Sequence, residues 1–339
     1  MNSSKDLNAA IVCIYLGRRG GGSGFHRDLI RELRGGGFRV LSLTREDAEF
    51  KPSHPDDFSV DAPKNRLLLK SPYISRASLL RATRSLGITN IDIVIFSMVH
   101  PRNLILIRFF HTLGIKIGSI IHDARPHKGE WYPTRRTIKR LAMKSDFVIC
   151  LSNFVKKQMP QPNKVILIDF PKLSSTPPRP RALKYEYVLF IGRGKRYKGL
   201  TLLEKMWSTN DLNLHLVVAG DGHHVKSTKK QIIQISKWLS EGEIHSLIQN
   251  SKLVLCPYIE ASQSGVVHMS HSLGVPTIVT PVGGLPEQIS ATNGIVSKTL
   301  TPSEFKRVLE QGLTRKWNSV DSPIKFGSLA NQIQKFLPD

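Results

Sequence analysis

Residues 257–289 read PYIEASQSGVVHMSHSLGVPTIVTPVGGLPEQI. They follow an apolar run over 253–256 that predicts a buried strand. A loop of small residues, 260–265, opens onto a helical run that Gly274 and Pro276 end. A second short strand and the sequence Gly-Gly-Leu-Pro-Glu come next. This alternation of buried strand, loop and helix is typical of a parallel α/β sheet.

The loop before this helix is a candidate anion site. Backbone N–H groups at a helix start lack partners within the helix, and the helix dipole favours negative charge there. Ser264 and Gly265 are small enough for a phosphate to reach the backbone. An ordinary N-cap is the alternative, because Ser and Gly are common in that position.

The stretch resembles the donor-site signature of retaining nucleotide-sugar glycosyltransferases of the GT-B fold, family four, of the bacterial polysaccharide type. Gly274, Pro276 and the Gly-Gly-Leu-Pro-Glu of 283–287 match this signature. The family's second Glu, eight residues after the first, falls at His268 or at Met269, depending on the residue used as anchor. Neither side chain is a carboxylate, so the resemblance does not carry over the ribose contact that this Glu makes in relatives.

The resemblance also implies roles for other residues of the C-terminal half. The family has Gly-Arg followed by Lys-Gly, and Arg193 and Lys198 have the family's spacing. Relatives bind the donor diphosphate with this pair, because two fixed cations and a helix N-terminus stabilise a departing diphosphate without a metal. Glu260 would contact hydroxyls of the donor sugar, and Ser264 and Gly265 would offer backbone N–H groups.

The N-terminal half begins like a Rossmann unit. A strand over 9–16 precedes a glycine-rich loop over 17–24, a helix over 26–34 and a strand over 38–43. The dinucleotide fingerprint fits poorly, and such a loop alone indicates little. The resemblance places it, with Gly22, beside the diphosphate and the acceptor. A plain tight turn is the alternative.

Two histidines follow predicted strands in this half. The strands cover 91–96 and 116–121, with His100 just beyond the first and His122 directly after the second. Ligands of open α/β sheets bind beyond the carboxyl ends of strands. A histidine after the second strand points at the donor sugar in the family, so the resemblance implies that His122 lines the reacting face. A loop histidine with local partners is the alternative, which we favour for His100.

The formal net charge of +23 predicts a polyanionic partner. Residues 125–157 hold nine Lys or Arg and two Asp or Glu. A helix over 134–145 has one basic face and one apolar face. Its basic residues are Arg135, Arg136, Lys139, Arg140 and Lys144, and its apolar residues are Ile138, Leu141 and Ala142. The basic face is either solvated or docks on anionic lipid, where each basic residue contributes roughly 1 kcal/mol to binding. In the second case, Trp131 and Tyr132 would lie at the level of the lipid headgroups.

Other partners and compartments find less support in the sequence. No zinc-finger spacing, aromatic RNA-binding motif or helix-turn-helix indicates nucleic acid. Cys13, Cys150 and Cys256 lie in predicted strands, which is typical of buried thiols in a reducing compartment. No leader opens the chain and no apolar run reaches about 18 residues. We therefore expect a cytoplasmic protein, peripheral on the inner face of the plasma membrane.

Together these features predict an α/β protein of the GT-B fold, with two Rossmann-like domains facing across a cleft. We expect an acceptor domain over 1–170, a proline-rich linker over 171–183, a donor domain over 184–320, and a C-terminal segment over 321–339. The resemblance implies that this last segment, with a helix over 326–337, crosses back to the first domain.

The implied function is that of a hexosyltransferase. It would move a sugar from a nucleotide diphosphate sugar to an acceptor, with retention, in envelope polysaccharide synthesis. A lipid-linked saccharide is the expected acceptor if the basic helix docks on the membrane. No cofactor and no metal are expected. The alternatives are another GT-B enzyme (a nucleotide-sugar epimerase or a phosphorylase), a basic nucleic-acid-binding protein, or a transferase that has lost activity with the second Glu.

Overall fold

The computed structural model describes residues 9–49, 51–60, 91–127, 133–173, 183–208, 213–226, 231–323 and 325–337. The chain divides into two compact units, each with its own parallel sheet. The first comprises residues 1–126, 130–172 and 325–339, and the second comprises residues 127–129 and 173–324. Most of the predicted linker, 171–183, lies outside the described residues, as do Trp131 and Tyr132.

The first unit begins with seven strands and four helices in its described residues. They are β1 (Ala10–Tyr15), α1 (Gly21–Gly35), β2 (Arg39–Arg45), β3 (Asp57–Val60), β4 (Ile93–Phe96), α2 (Asn103–His111), β5 (Lys116–Ile120), α3 (Arg135–Lys144), β6 (Phe147–Cys150), α4 (Asn153–Lys156) and β7 (Val165–Leu167). The sheet order is β3-β2-β1-β4-β5-β6-β7, with every pair parallel. Apolar clusters cover both faces, so the strands read as continuous apolar runs.

Helix α1 corrects the prediction of a loop over 17–24. The helix begins at Gly21, inside the glycine-rich segment, and Gly20 precedes it with φ 100°. A side chain at Gly22 would collide with the Met98 methyl group and lie 3.1 Å from the Tyr15 ring. The glycines therefore let the first turn of α1 pack closely against the ends of the strands.

The second unit has six strands and four helices in its described residues. They are β8 (Tyr187–Ile191), α5 (Leu200–Ser208), β9 (His215–Ala219), β10 (Ile232–Ile235), α6 (Glu241–Gln249), β11 (Val254–Cys256), α7 (Gly265–Ser272), β12 (Thr277–Val279), β13 (Gly294–Val296) and α8 (Pro302–Thr314). The sheet order is β10-β9-β8-β11-β12-β13, again parallel throughout. In both sheets the order reverses beside the first strand, where the crevice of an open α/β sheet binds ligands.

The last described segment packs on the first unit. Helix α9 (Leu329–Ile333) continues as a short 3-10 turn, so it is shorter than the predicted helix over 326–337. Leu329 and Ile333 join the apolar cluster beside α1, and Phe336 stacks on Phe147 at 4.1 Å between ring centres. The Asp169 carboxylate accepts from the backbone N–H groups of 325–327 and fixes the entry to α9.

Candidate functional site

In the second unit, the loop from β8 to α5 contains the predicted cation pair. Gly192 has φ 132° and Gly199 has φ 75°, both in the region that favours glycine. A side chain at Gly199 would also collide with the carbonyl oxygen of Pro257. These glycines therefore hold the loop directly against the residues that follow β11.

Lys198 is a partly buried residue of this loop. Its Nζ donates to the Tyr258 hydroxyl at 2.9 Å and lies 4.5 Å from the centre of the Tyr258 ring. Desolvation, with a smaller contribution from the neighbouring Arg193 cation, lowers the pKa of Lys198 to about 8. Tyr258 itself is 2% exposed, and burial raises its pKa well above the usual value, so its hydroxyl stays neutral.

Arg193 lies exposed on the same loop. Its charge lowers the pKa of Lys198 in addition to burial, so the two cations are close enough to repel each other. The loop is fixed from below, because Gly194 N–H donates to the Asp221 carbonyl at 2.7 Å and His223 Nε2 donates to the Gly192 carbonyl at 2.6 Å. A bound anion would relieve the repulsion without requiring the backbone to move.

The start of α7 presents free N–H groups. Ser264 is the N-cap, and its hydroxyl accepts from Val267 N–H at 3.3 Å. The backbone N–H of Ser264, predicted as a ligand donor, instead donates to Gln288 Oε1 at 2.7 Å. The N–H groups of Ser264 and Val267 are therefore used within the protein. In the first turn of α7, the described structure leaves the N–H groups of Gly265 and Val266 available for an anion.

Gln288 is a contributor that the sequence analysis missed. Its amide closes a two-way clamp on Ser264, since Nε2 also donates to the Ser264 carbonyl at 3.0 Å. The Gly-Gly-Leu-Pro-Glu motif positions it, because Leu285 is fully buried and begins the 3-10 turn Leu285–Gln288. The motif thus fixes the orientation of the cap of α7. The only sequence feature that could have pointed to Gln288 is that it directly follows this motif.

Glu260 follows β11 and is half-buried. Its Oε1 lies 3.9 Å from Nδ1 of His127, which belongs to the second unit. The His127 ring stacks on Tyr197 with 4.1 Å between centres and 14° between planes. His127 was not singled out from the sequence. Through His127, the Glu260 carboxylate lies near Tyr197, which belongs to the loop that carries Lys198.

The first unit holds a separate group around His122. The ring Nε2 donates to the Ser97 carbonyl at 3.0 Å, and Phe25 of α1 packs edge-on at 4.7 Å between ring centres. Burial lowers the pKa of His122, so the ring is neutral near pH 7 with its proton on Nε2. The Nδ1 atom is then an acceptor, suited to a hydroxyl group. Gly22 lies in the same first turn of α1 as Phe25.

Ser97 is held from both sides, which fixes the ring of His122. Its hydroxyl bonds Nδ1 of His26 at 2.8 Å, and His26 Nε2 bonds the Ser42 hydroxyl at 3.1 Å. His100, after the same strand as Ser97, has a local partner: its Nδ1 accepts from Arg102 N–H at 3.3 Å. Both His122 and His100 thus have a hydrogen-bond partner within the first unit, and the role of His122 at the reacting face stays a prediction.

Comparison with known proteins accounts for both units. Residues 19–168 match the family Glycosyltransferase Family 4, and residues 175–327 match Glycosyl transferases group 1. No curated protein matches the sequence significantly. Anabaena HepE in complex with UDP and glucose matches 90% of this chain and 89% of its own at 13% identity, with a TM-score of 0.66.

The chain belongs to the GT-B glycosyltransferases.

Other solved structures share this fold. Sucrose-phosphate synthase from Thermosynechococcus elongatus has a TM-score of 0.69 at 14% identity, covering 90% of this chain and 89% of its own. UDP-GlcNAc 2-epimerase from Methanocaldococcus jannaschii has a TM-score of 0.63 at 13% identity, covering 96% and 98%. The fold alone therefore does not separate a transferase from an epimerase. The two family matches favour the transferase over the epimerase, and they support transfer from a nucleotide sugar.

In this glycosyltransferase, the two residues that could replace the family's second Glu have structural roles. His268 Nδ1 shares a hydrogen bond with the Ser322 hydroxyl at 3.1 Å, and Met269 packs against the apolar core. His271, one turn further on, bonds the Thr277 hydroxyl at 2.9 Å. The histidine pair thus has separate partners, and the described ranges contain no group of three or more His, Cys, Asp or Glu arranged to hold a metal.

Proposed function

We propose that this glycosyltransferase moves a hexose from a nucleotide diphosphate sugar to a saccharide acceptor, with retention of configuration. The observation that carries the proposal is that Tyr258 links Lys198 to the start of α7, because its hydroxyl accepts from Lys198 and also bonds the side chain of Ser264, the N-cap. Arg193 adds a second positive charge near Lys198. Partly buried Lys198 has no salt-bridge partner among the described residues, and desolvation lowers its pKa, which disfavours its charged form. A diphosphate supplies the missing negative charge.

In the proposed reaction, the acceptor hydroxyl oxygen attacks the anomeric carbon as the bond from that carbon to the diphosphate oxygen breaks. The acceptor proton passes to the departing phosphate on the same face, so configuration is kept. Arg193, Lys198 and the start of α7 stabilise the charge gained by the diphosphate. Glu260 orients sugar hydroxyls, and neutral His122 stabilises the transition state. No metal or cofactor enters this scheme.

The donor can be identified by thermal unfolding with a panel of nucleotide diphosphates and their sugars. We expect the nucleotides with one particular base to stabilise the protein, by roughly 2.7 kcal/mol when the free ligand is at about 100 times its Kd. UDP and UDP-sugars are the first choice, because the HepE structures contain them. Stabilisation that survives excess EDTA would support a metal-independent site. If no nucleotide diphosphate stabilises the protein, the proposed function is wrong.

We further propose that the first unit docks on the inner face of the plasma membrane, where a lipid-linked saccharide in envelope polysaccharide synthesis would be the acceptor. Helix α3 supports this, because Ile138, Leu141 and Ala142 are buried while its basic residues face solvent. In the described part of the chain, no helix is both long and apolar enough to cross a bilayer.

Charge reversal of α3 tests this docking. Changing Arg135, Arg136, Lys139 and Arg140 to Glu should abolish sedimentation with anionic vesicles and leave nucleotide affinity unchanged. Wild-type binding should weaken with added salt, because exposed charges are screened over about 8 Å at physiological ionic strength. Equal binding of the wild type to neutral and anionic vesicles would exclude α3 as the anchor.

A further inference from the structure

A groove of about 750 Å³ lies on the first unit between α2 and α3. Its lining residues recur along one face of each helix, at spacings of three to five residues. They are Leu104, Ile105, Arg108, Phe109, Thr112, Arg140 and Lys144. The donor site described above uses none of these residues, so the groove needs its own explanation.

The floor of the groove is apolar. Leu104 and Phe109 pack against the core of the first unit but stay partly exposed, as does Ile105. Two strongly exposed apolar side chains lie nearby in sequence: Leu113, directly after Thr112, is 56% exposed, and Met143, directly before Lys144, is 52% exposed. This surface would be favourable against hydrocarbon and is unfavourable in water.

The rim of the groove is cationic. Arg108, Arg140 and Lys144 are exposed, and the described structure gives none of them a salt bridge. Neither α2 nor α3 contains an acidic residue. The nearest acidic residue along the chain, Asp146, is engaged by His111 at 3.1 Å and by the N–H of Ile117 at 2.7 Å. The rim therefore keeps its positive charge available for an anion.

We propose that this groove binds one anionic phospholipid. The phosphate lies among Arg108, Arg140 and Lys144, and the upper acyl chains run along Leu104, Ile105 and Phe109. Charge complementarity selects an anionic headgroup, and the apolar floor selects a molecule with chains over a free phosphate. The inference rests on the proposed membrane docking and adds a defined lipid site to it.

The test uses dihexanoyl phosphatidylglycerol, kept below its micelle concentration, in calorimetric titration of the full chain. We expect one saturable site, with affinity at least about tenfold higher than for glycerol 1-phosphate, because glycerol 1-phosphate has no acyl chains to bury against the apolar floor. Dihexanoyl phosphatidylcholine should also bind at least about tenfold more weakly, because it lacks net negative charge.

Matched triple variants locate the site. Changing Arg108, Arg140 and Lys144 to Ser should weaken binding of the monomeric lipid at least about tenfold. The control changes Arg135, Arg136 and Lys139 to Ser, which removes the same charge from outside the groove, and should alter this affinity less than about twofold.

Three outcomes would overturn the inference: no binding of the lipid to the wild type, equal losses in both triple variants, or glycerol 1-phosphate binding as tightly as the lipid to the wild type. Neither comparison depends on introducing an apolar substitution that could unfold the unit. Thermal unfolding of the same samples with nucleotide diphosphates tests the proposed function separately. A preparation that binds UDP but not the lipid therefore contradicts the groove alone.

Discussion

Replacing Lys198 with Met is expected to weaken nucleotide diphosphate binding by about 10- to 150-fold. The substitution keeps an unbranched side chain that is one atom shorter and removes a charge-assisted contact worth about 1.5–3 kcal/mol. Isothermal titration with the nucleotide found in the thermal panel measures the effect. The matched control is Lys195→Met in the same loop, which lies outside the family's spacing and should change affinity less than about twofold.

The same residue predicts a proton uptake on binding. The pKa of unliganded Lys198 is lowered to about 8, so most of the amine is neutral at pH 9. A diphosphate favours the ammonium form and raises that pKa, so binding at pH 9 should take up most of one proton, whereas Lys198 contributes little at pH 7. Titration in buffers of different ionisation enthalpy measures this uptake. Equal proton uptake by the wild type and Lys198→Met at pH 9 would contradict the assignment.

The stability of the unliganded protein should follow the same pKa. The folded-state pKa of about 8 lies below the ordinary value of 10.5, so the unfolded chain binds more protons between those values. Lys198 therefore contributes a gain in stability as pH rises through this window. Lys198→Met should lack that gain, because it has no proton to release.

Local signals in the sequence predicted much of the second unit. Ser240 and Glu243, three residues apart, form a complete capping box at the start of helix α6, which is a signal that can be read from the sequence. The buried strands and their cysteines also agree, because parallel strands covered on both faces leave an unbroken apolar run. These features depend on residues that are close together in the chain.

The missed features depend on contacts between distant residues. The clamp of Gln288 on Ser264 spans 24 positions, and the hydrogen bond from Lys198 to Tyr258 spans 60. Neither leaves a periodic signal in the sequence. The early start of α1 was missed because glycines indicate a loop, whereas here they allow a tight helix–strand approach that only the folded unit reveals.

His122 is expected to matter for turnover and not for nucleotide affinity. His122→Ala should lower kcat by about 100-fold or more if the neutral ring contacts the sugar only in the transition state, while the Kd for the nucleotide diphosphate stays within about twofold. Single-turnover transfer and direct nucleotide titration measure the two quantities. His100→Ala is the matched control, because this ring also follows a strand but bonds its own loop, and it should retain most of the turnover.

The pH dependence of kcat sharpens this prediction. Burial lowers the pKa of His122 below its ordinary value of 6.5, so more than half of the rings are neutral at pH 6.5 and any loss of turnover that His122 causes should be centred below that pH. Protonation would place a second hydrogen on the ring and remove the acceptor at Nδ1, so any loss caused by His122 should appear only at lower pH. A wild-type decline centred above pH 6.5 that His122→Ala abolishes would show a ring that titrates normally. A His122→Ala enzyme with wild-type kcat would remove this residue from the mechanism altogether.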